Sequence, residues 1–200
     1  MSREWKWLGE DHITYAVRDI RLWRHFYVNV MGGREIHHTA DVNPAGSSSM
    51  ELYGIELGRS RIALVSPINR SAMSQVEFFL QKHGDSIQHV AYAISNLEAF
   101  VAEMKQKGFR FLGDIIERAD AFGLVKQIFT KRFDAIATSA VNGVFLEFVE
   151  RREKSGAAAA NACDEVFSSD VANQFYKAVE AAGDTDDGES FVPKRGPRSS

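Results

Sequence analysis

His12 and His89 each open a nearly identical stretch of nine residues, His12-Ile-Thr-Tyr-Ala-Val-Arg-Asp-Ile20 and His89-Val-Ala-Tyr-Ala-Ile-Ser-Asn-Leu97, 77 positions apart. Neutral imidazole is the commonest protein metal ligand. A histidine at the head of each of two strands related by pseudo-symmetry can bring two such ligands to one point. Glu147 is the third residue of interest. It sits inside the apolar run Val144-Phe-Leu-Glu-Phe-Val149, where an ionised carboxylate is costly unless it pairs or binds a metal. Two histidines and one carboxylate with open positions form the donor set of a mononuclear non-haem iron(II) site. The plainer reading is a pair of hydrogen-bonded core histidines and a glutamate facing solvent at a sheet edge. Equivalence of the two histidines within a repeat favours the metal. His25, His37, His38 and His83 have no such counterpart and read as solvated or structural residues of helices and loops.

The elements that must position these groups follow from hydrophobic periodicity. Alternation of His12, Thr14 and Ala16 with Ile13, Tyr15 and Val17 describes a strand with one small, polar face and one bulky face. His89, Ala91 and Ala93 against Val90, Tyr92 and Ile94 repeat the pattern. Bulky faces should meet helices, and small faces should line a cavity. Asp19 stands at an N-cap before an apolar helical stripe of Leu22, Trp23, Phe26, Tyr27 and Val30, which Gly32-Gly33 stops. Three strands are predicted next, over Arg34–Ala40, Met50–Leu57 and Arg61–Val65. A short helix over Ser74–His83 links to the second unit. There, a helix over Leu97–Lys107 carries Leu97, Phe100, Val101 and Met104 at helical spacing. Strands over Phe109–Asp114, Lys126–Thr130 and Val144–Val149 complete a second βαβββ module. The fold class is therefore α+β: two tandem βαβββ modules, about 10–66 and 87–152, forming a cupped mixed sheet around one site in a single domain over 1–152. Residues 153–166 read as an alanine-rich linker. Amphipathic spacing returns over 167–182, where a C-terminal helix is expected, and 183–200 has the composition of a disordered tail.

Composition narrows the function classes. The 200-residue chain is 44% hydrophobic and 26% charged, with a formal net charge of −3. Such a balance offers no basic footprint for nucleic acid or an anionic membrane. A single cysteine, Cys163, excludes an internal disulfide and suits a reducing compartment. No apolar run is long enough to span a bilayer, and the N-terminal residues lack a signal-peptide core. A cytoplasmic protein is expected. With no second half to cover it, an exposed sheet edge or face would favour a homodimer.

These residues resemble the vicinal oxygen chelate superfamily, which includes glyoxalase, extradiol dioxygenases and methylmalonyl-CoA epimerase. More specifically, they are similar to the catalytic C-terminal half of the 4-hydroxyphenylpyruvate dioxygenases. The resemblance is carried by Asp11-His12, Ser66-Pro-Ile-Asn69, Ser74-Gln75 ahead of Phe79-Leu80, Gln88-His89-Val-Ala, Gln127-Ile-Phe-Thr-Lys131 and Phe145-Leu-Glu-Phe-Val-Glu-Arg151. It runs from about residue 10 to 152. Transferred position by position, it implies His12, His89 and Glu147 as ligands of Fe(II). It implies Asn69, Gln75, Gln88 and Gln127 as the polar network around the substrate and Phe129 as a ring packing against it. The segment 167–182 would be the gating helix. Gly54 stands near a pocket serine of the family, and Ala172 near its substrate-stacking phenylalanine. The implied substrate is accordingly a 4-hydroxyphenylpyruvate-like acid or a related aryl or alkyl pyruvate, with dioxygen as co-substrate.

Comparing the two halves bears on the reaction. Pseudo-symmetry sets Arg61-Ile-Ala-Leu-Val65 against Phe145-Leu-Glu-Phe-Val149, so Ala63 falls opposite Glu147. Alanine cannot ligate, and a three-ligand site leaves positions for a bidentate 2-oxo acid and for dioxygen. Two rival readings are a metal-dependent isomerase or lyase of the same superfamily and a ligand-sequestering protein of the bleomycin-resistance type. The isomerases generally carry a fourth protein ligand where this chain has Ala63, and the sequestering proteins commonly lack the triad.

Overall fold

The computed structural model describes residues 3–41, 49–68, 74–119, 123–130 and 144–153. Asn69, the linker over 154–166, the expected helix over 167–182 and the tail over 183–200 lie outside the described residues. Among the described residues, eight strands form one mixed sheet: β1 (Trp7–Ala16), β2 (Arg34–Thr39), β3 (Met50–Leu57), β4 (Ser60–Pro67), β5 (Ser86–Ile94), β6 (Phe111–Ala119), β7 (Gly123–Thr130) and β8 (Phe145–Glu153). Three helices accompany them: α1 (Ile20–His25), α2 (Gln75–His83) and α3 (Leu97–Gln106). Spatial order is β2-β3-β4-β1-β5-β8-β7-β6. Read from either edge, that order gives the same module, so the two βαβββ units meet back to back at the antiparallel pair β1–β5. Within each unit, the first and last strands run parallel: β1 with β4 and β5 with β8.

The bulky faces meet helices as expected. Val17, Ile20, Tyr53, Ile55, Ile62 and Leu64 form one buried cluster, with Tyr15, Trp23 and Tyr27 packed against it. Around α3, Leu97, Phe100 and Val101 pack with Trp5, Ile94, Ile128 and Phe148. Asp19 accepts a hydrogen bond from the Leu22 amide at 3.0 Å, and Asn96 accepts one from the Ala99 amide at 3.2 Å, so both modules start their helix with a side-chain cap. The small face is shared between a cup and a helix. Val76, Phe79 and Leu80 of α2 pack with Ala16, Ala63 and Val65, so this linking helix also fills part of the face that alternation leaves small.

Several boundaries differ from the sequence expectation for local physical reasons. The first strand begins at Trp7, which places His12 inside β1 and not at its head. Register shifts between Trp7 and Gly9 and between Glu10 and His12, with Gly9 at φ 123°, let the strand bend and continue upstream. In β6, Gly113 at φ 72° sits in another register shift. The strand therefore passes through Gly113-Asp114 to Ala119, beyond the Phe109–Asp114 span expected from the sequence. Helix α1 runs into a single π-helical turn over Phe26–Val30, a feature with no sequence periodicity of its own. His37 and His38 belong to β2, within the strand expected over Arg34–Ala40 and not in a helix or loop.

Candidate metal centre

Register explains how the three ligand-type residues meet. Across three adjacent strands, His12 lies opposite Ala91, and Ala91 lies opposite Glu147. Because Ala91 is small and fully buried, the side chains on either side of it can lean together over its methyl group. His89 is two residues before Ala91 and therefore on the same face. The result is compact: His12 Nε2 and His89 Nε2 each lie 3.4 Å from the same Glu147 Oε2. Ligand atoms from all three residues fall within 4.8 Å of one another. The imidazole rings are nearly perpendicular, at 80° with centroids 5.5 Å apart, and Phe145 stacks on His89 at 4.7 Å. All three groups are at most 5% exposed.

The same register read from the other module gives the row His89, Thr14, Ala63. Ala63 is thus the geometric counterpart of Glu147, and it carries no donor atom.

Two carboxylates are buried in β8, and they differ in what surrounds them. Glu150 accepts from the Leu97 amide at 2.8 Å and from Arg152 Nε at 2.5 Å, which accounts for its burial as a helix cap and ion pair. Glu147 faces two imidazoles. Burial opposes charge on His12, but the Glu147 carboxylate and the bond to Asp11 raise its pKa from 6.5 to about 9. For Glu147, burial acts upward and is outweighed by the two histidines, which bring it down to about 2. Burial pushes His89 below its ordinary value. One proton, carried on His12, thus neutralises the cluster. A divalent metal ion fits the same place chemically, because two Nε2 atoms and one carboxylate oxygen already converge there.

This proton makes a measurable prediction. His12, with its folded pKa raised, stabilises the metal-free fold fully below pH 6.5, and that contribution is lost as pH rises through 9. The Glu147 shift describes the same ion pair from its other side: stability present above pH 4.5 and lost as pH falls through 2. Metal must displace the proton from His12, so binding near neutral pH should release about one proton per chain. Titration calorimetry in two buffers of different ionisation enthalpy reads this directly, and a release of zero would contradict it.

The other sequence-predicted residues are distributed around this cluster. Phe129 pairs in register with Glu147, so it shares the triad's face, and Gln127 lies two residues earlier on that face. Both are buried, and Phe129 meets Phe145 edge-on at 6.2 Å. Gln88 is also buried, with its Oε1 at 3.3 Å from His89 Nδ1. Gln75 begins α2.

Two neighbours escaped the sequence reading as functional residues. Asp11 Oδ1 lies 2.9 Å from His12 Nδ1, and Arg151 holds Asp11 through two hydrogen bonds of 2.8 and 2.9 Å. Burial alone would raise the Asp11 pKa, yet the Arg151 guanidinium keeps it far below the usual carboxylate range. The available signals were the acid directly before the histidine and an arginine four places after Glu147 on one strand.

Comparison with known proteins shows the family and the fold. Residues 11–123 match the model of the Glyoxalase/Bleomycin resistance protein/Dioxygenase superfamily, and the chain belongs to that superfamily. Among curated relatives, mitochondrial methylmalonyl-CoA epimerase of Mus musculus is 28% identical over 114 residues, covering 56% of this chain and 61% of the relative. The 4-hydroxyphenylpyruvate dioxygenase of Pseudomonas aeruginosa is 30% identical over 107 residues, covering 51% of this chain. The chain thus spans less than two thirds of either relative, and only 29% of the dioxygenase. Among solved structures, a mutant 4-hydroxymandelate synthase from Streptomyces coelicolor superposes with a TM-score of 0.65 at 18% identity, covering 86% of this chain and 53% of that one. That likeness establishes the shared vicinal oxygen chelate fold. Among the described residues, no helix is long and apolar enough to cross a membrane.

Proposed function

We propose that the protein is an iron(II)-dependent dioxygenase that oxidatively decarboxylates a 2-oxo acid and hydroxylates the product, with a 4-hydroxyphenylpyruvate-like or related aryl or alkyl pyruvate as substrate. The observation that carries this reading is the inequality of the two modules. Glu147 completes a three-ligand cluster with His12 and His89, whereas its register counterpart Ala63 offers nothing. Iron(II) held there would supply Lewis acidity, redox chemistry and coordination positions for a bidentate acid and dioxygen.

The protein's own contribution is positioning. Thr14 and Ala91 put short side chains beside the cluster, and Ala63 packs beneath α2. Phe145 and Phe129 form an apolar wall beside His89, where an aryl or alkyl tail would pack. Gln127 lies on that same face and would orient the tail's polar end, with Asn69 and Gln75 as further polar contacts. Gln88 would act through His89, whose Nδ1 it approaches. Orientation matters here because a small misplacement diverts oxidation to another carbon.

A metal-dependent isomerase or lyase is the second reading, favoured by the similarity to a protein named methylmalonyl-CoA epimerase. The decisive experiment is anaerobic loading with iron(II), addition of a panel of 2-oxo acids, and then exposure to oxygen. A charge-transfer absorption with one acid, followed by stoichiometric oxygen uptake and carbon dioxide release, is expected. Turnover of a coenzyme A ester without oxygen, and none with any 2-oxo acid, would replace this reading by the isomerase.

A further inference from the structure

The two imidazoles are held from behind by different chemistry. Positions 11 and 88 are equivalent within the repeat, each directly preceding its histidine. At the first stands a carboxylate, Asp11, 2.9 Å from His12 Nδ1. At the second stands a neutral amide, Gln88, 3.3 Å from His89 Nδ1. Asp11 is itself clamped by an arginine. Arg151 Nε donates to its Oδ2 and Nη2 to its Oδ1, a two-point fork that fixes the plane of the carboxylate.

Resting on the metal-site reading above, we propose that Arg151 and Asp11 form a positioning relay that makes His12 the stronger of the two imidazole ligands, leaving the metal centre electronically lopsided. A carboxylate behind a ligating imidazole fixes its tautomer and raises its basicity. With Nδ1 bound to Asp11, the Nε2 of His12 is left aimed at Glu147. The amide of Gln88 fixes the second ring in the same way but adds no negative charge. Arg151 is needed because Asp11 is buried, and an unpaired carboxylate there would be costly. Glu147 and Arg151 share β8, while His12 and Asp11 share β1, and β5 lies between those strands. Two strands that never pair are thus joined twice: once through the ligand cluster and once through the relay.

Cobalt(II) titration of the metal-free full chain tests this, with affinity read against a competing chelator and the ligand field read from the visible absorption bands. Wild-type protein should bind one cobalt ion per chain. Asp11→Asn and Arg151→Met should each weaken binding by about 10- to 100-fold and displace the bands. Arg151→Lys keeps the charge but loses the fork, and should fall between wild type and Arg151→Met. Arg24→Met, which breaks the remote pair with Glu35, should change neither readout. Circular dichroism identifies any variant that does not fold; the remaining relay variants then decide. Unchanged affinity and bands in folded relay variants would overturn the relay and leave the metal site standing. Weaker binding with unmoved bands would also overturn it, since a merely structural clasp between β1 and β8 would do that much. Absence of cobalt binding by the wild-type chain would overturn the metal reading and the relay with it.

Discussion

The His89→Ala variant is expected to bind no iron(II) and to show substrate-dependent oxygen uptake no greater than that of the metal-free chain. Among the described residues, the cluster has three donors. Ala63 and Ala91 on the same face have no donor atom with which to take over coordination. Glu147 would keep His12 as a partner, so the variant should still fold. The loss should exceed the roughly 10- to 100-fold cost of removing an outer partner of a metal ligand. Metal content after loading and an oxygen electrode check the result together. His38→Ala is the matched control: His38 stacks on Tyr53 in β2 and β3 at 4.1 Å, away from the cluster, and its loss should leave both readouts intact. Undiminished turnover in His89→Ala would remove the basis of the proposed function.

The largest effect on stability is expected at Phe100. This ring is 1% exposed on α3 and is surrounded by aromatic neighbours. Trp5 stands at 4.9 Å, Phe148 at 4.6 Å and Trp7 at 5.6 Å between centroids. Truncation to alanine removes the transfer energy of the ring and leaves a cavity that rigid neighbours cannot close. A cost of about 3–5 kcal/mol follows, against a total stability on the order of 5–15 kcal/mol for a native protein. Melting should fall by roughly 10 °C or more. The variant also separates scaffold from site, because α3 packs on the face of the sheet opposite His12, His89 and Glu147. Below the lowered melting point, metal affinity should be close to that of the wild type. Chemical denaturation and cobalt titration measure the two quantities, and a stability loss under about 1 kcal/mol would contradict the packing described here.

Much of the scaffold was legible because its signals are local and periodic. Alternation identified β1 and β5 and their small faces, the cap at Asp19 marked one helix start, and duplication related His12 to His89. Periodicity fails where the backbone departs from its period. Gly9 and Gly113 take positive φ in register shifts, so β1 starts earlier and β6 ends later than alternation allows. Likewise α2 carries an ordinary apolar stripe, and nothing in that stripe says which face of the sheet it covers.

The amino-acid order by itself determined which groups could do chemistry: two equivalent histidines, a glutamate misplaced in an apolar strand, and an alanine where the repeat would have matched it. A side chain's type and its face on a strand are properties of a few neighbouring residues, so they can be read before folding. Only the tertiary structure decided that the three groups converge within 4.8 Å, because that depends on register across β1, β5 and β8. It alone brought Arg151 to Asp11 across 140 positions. Such contacts are set by how strands from distant parts of the chain align, and no local pattern encodes that alignment.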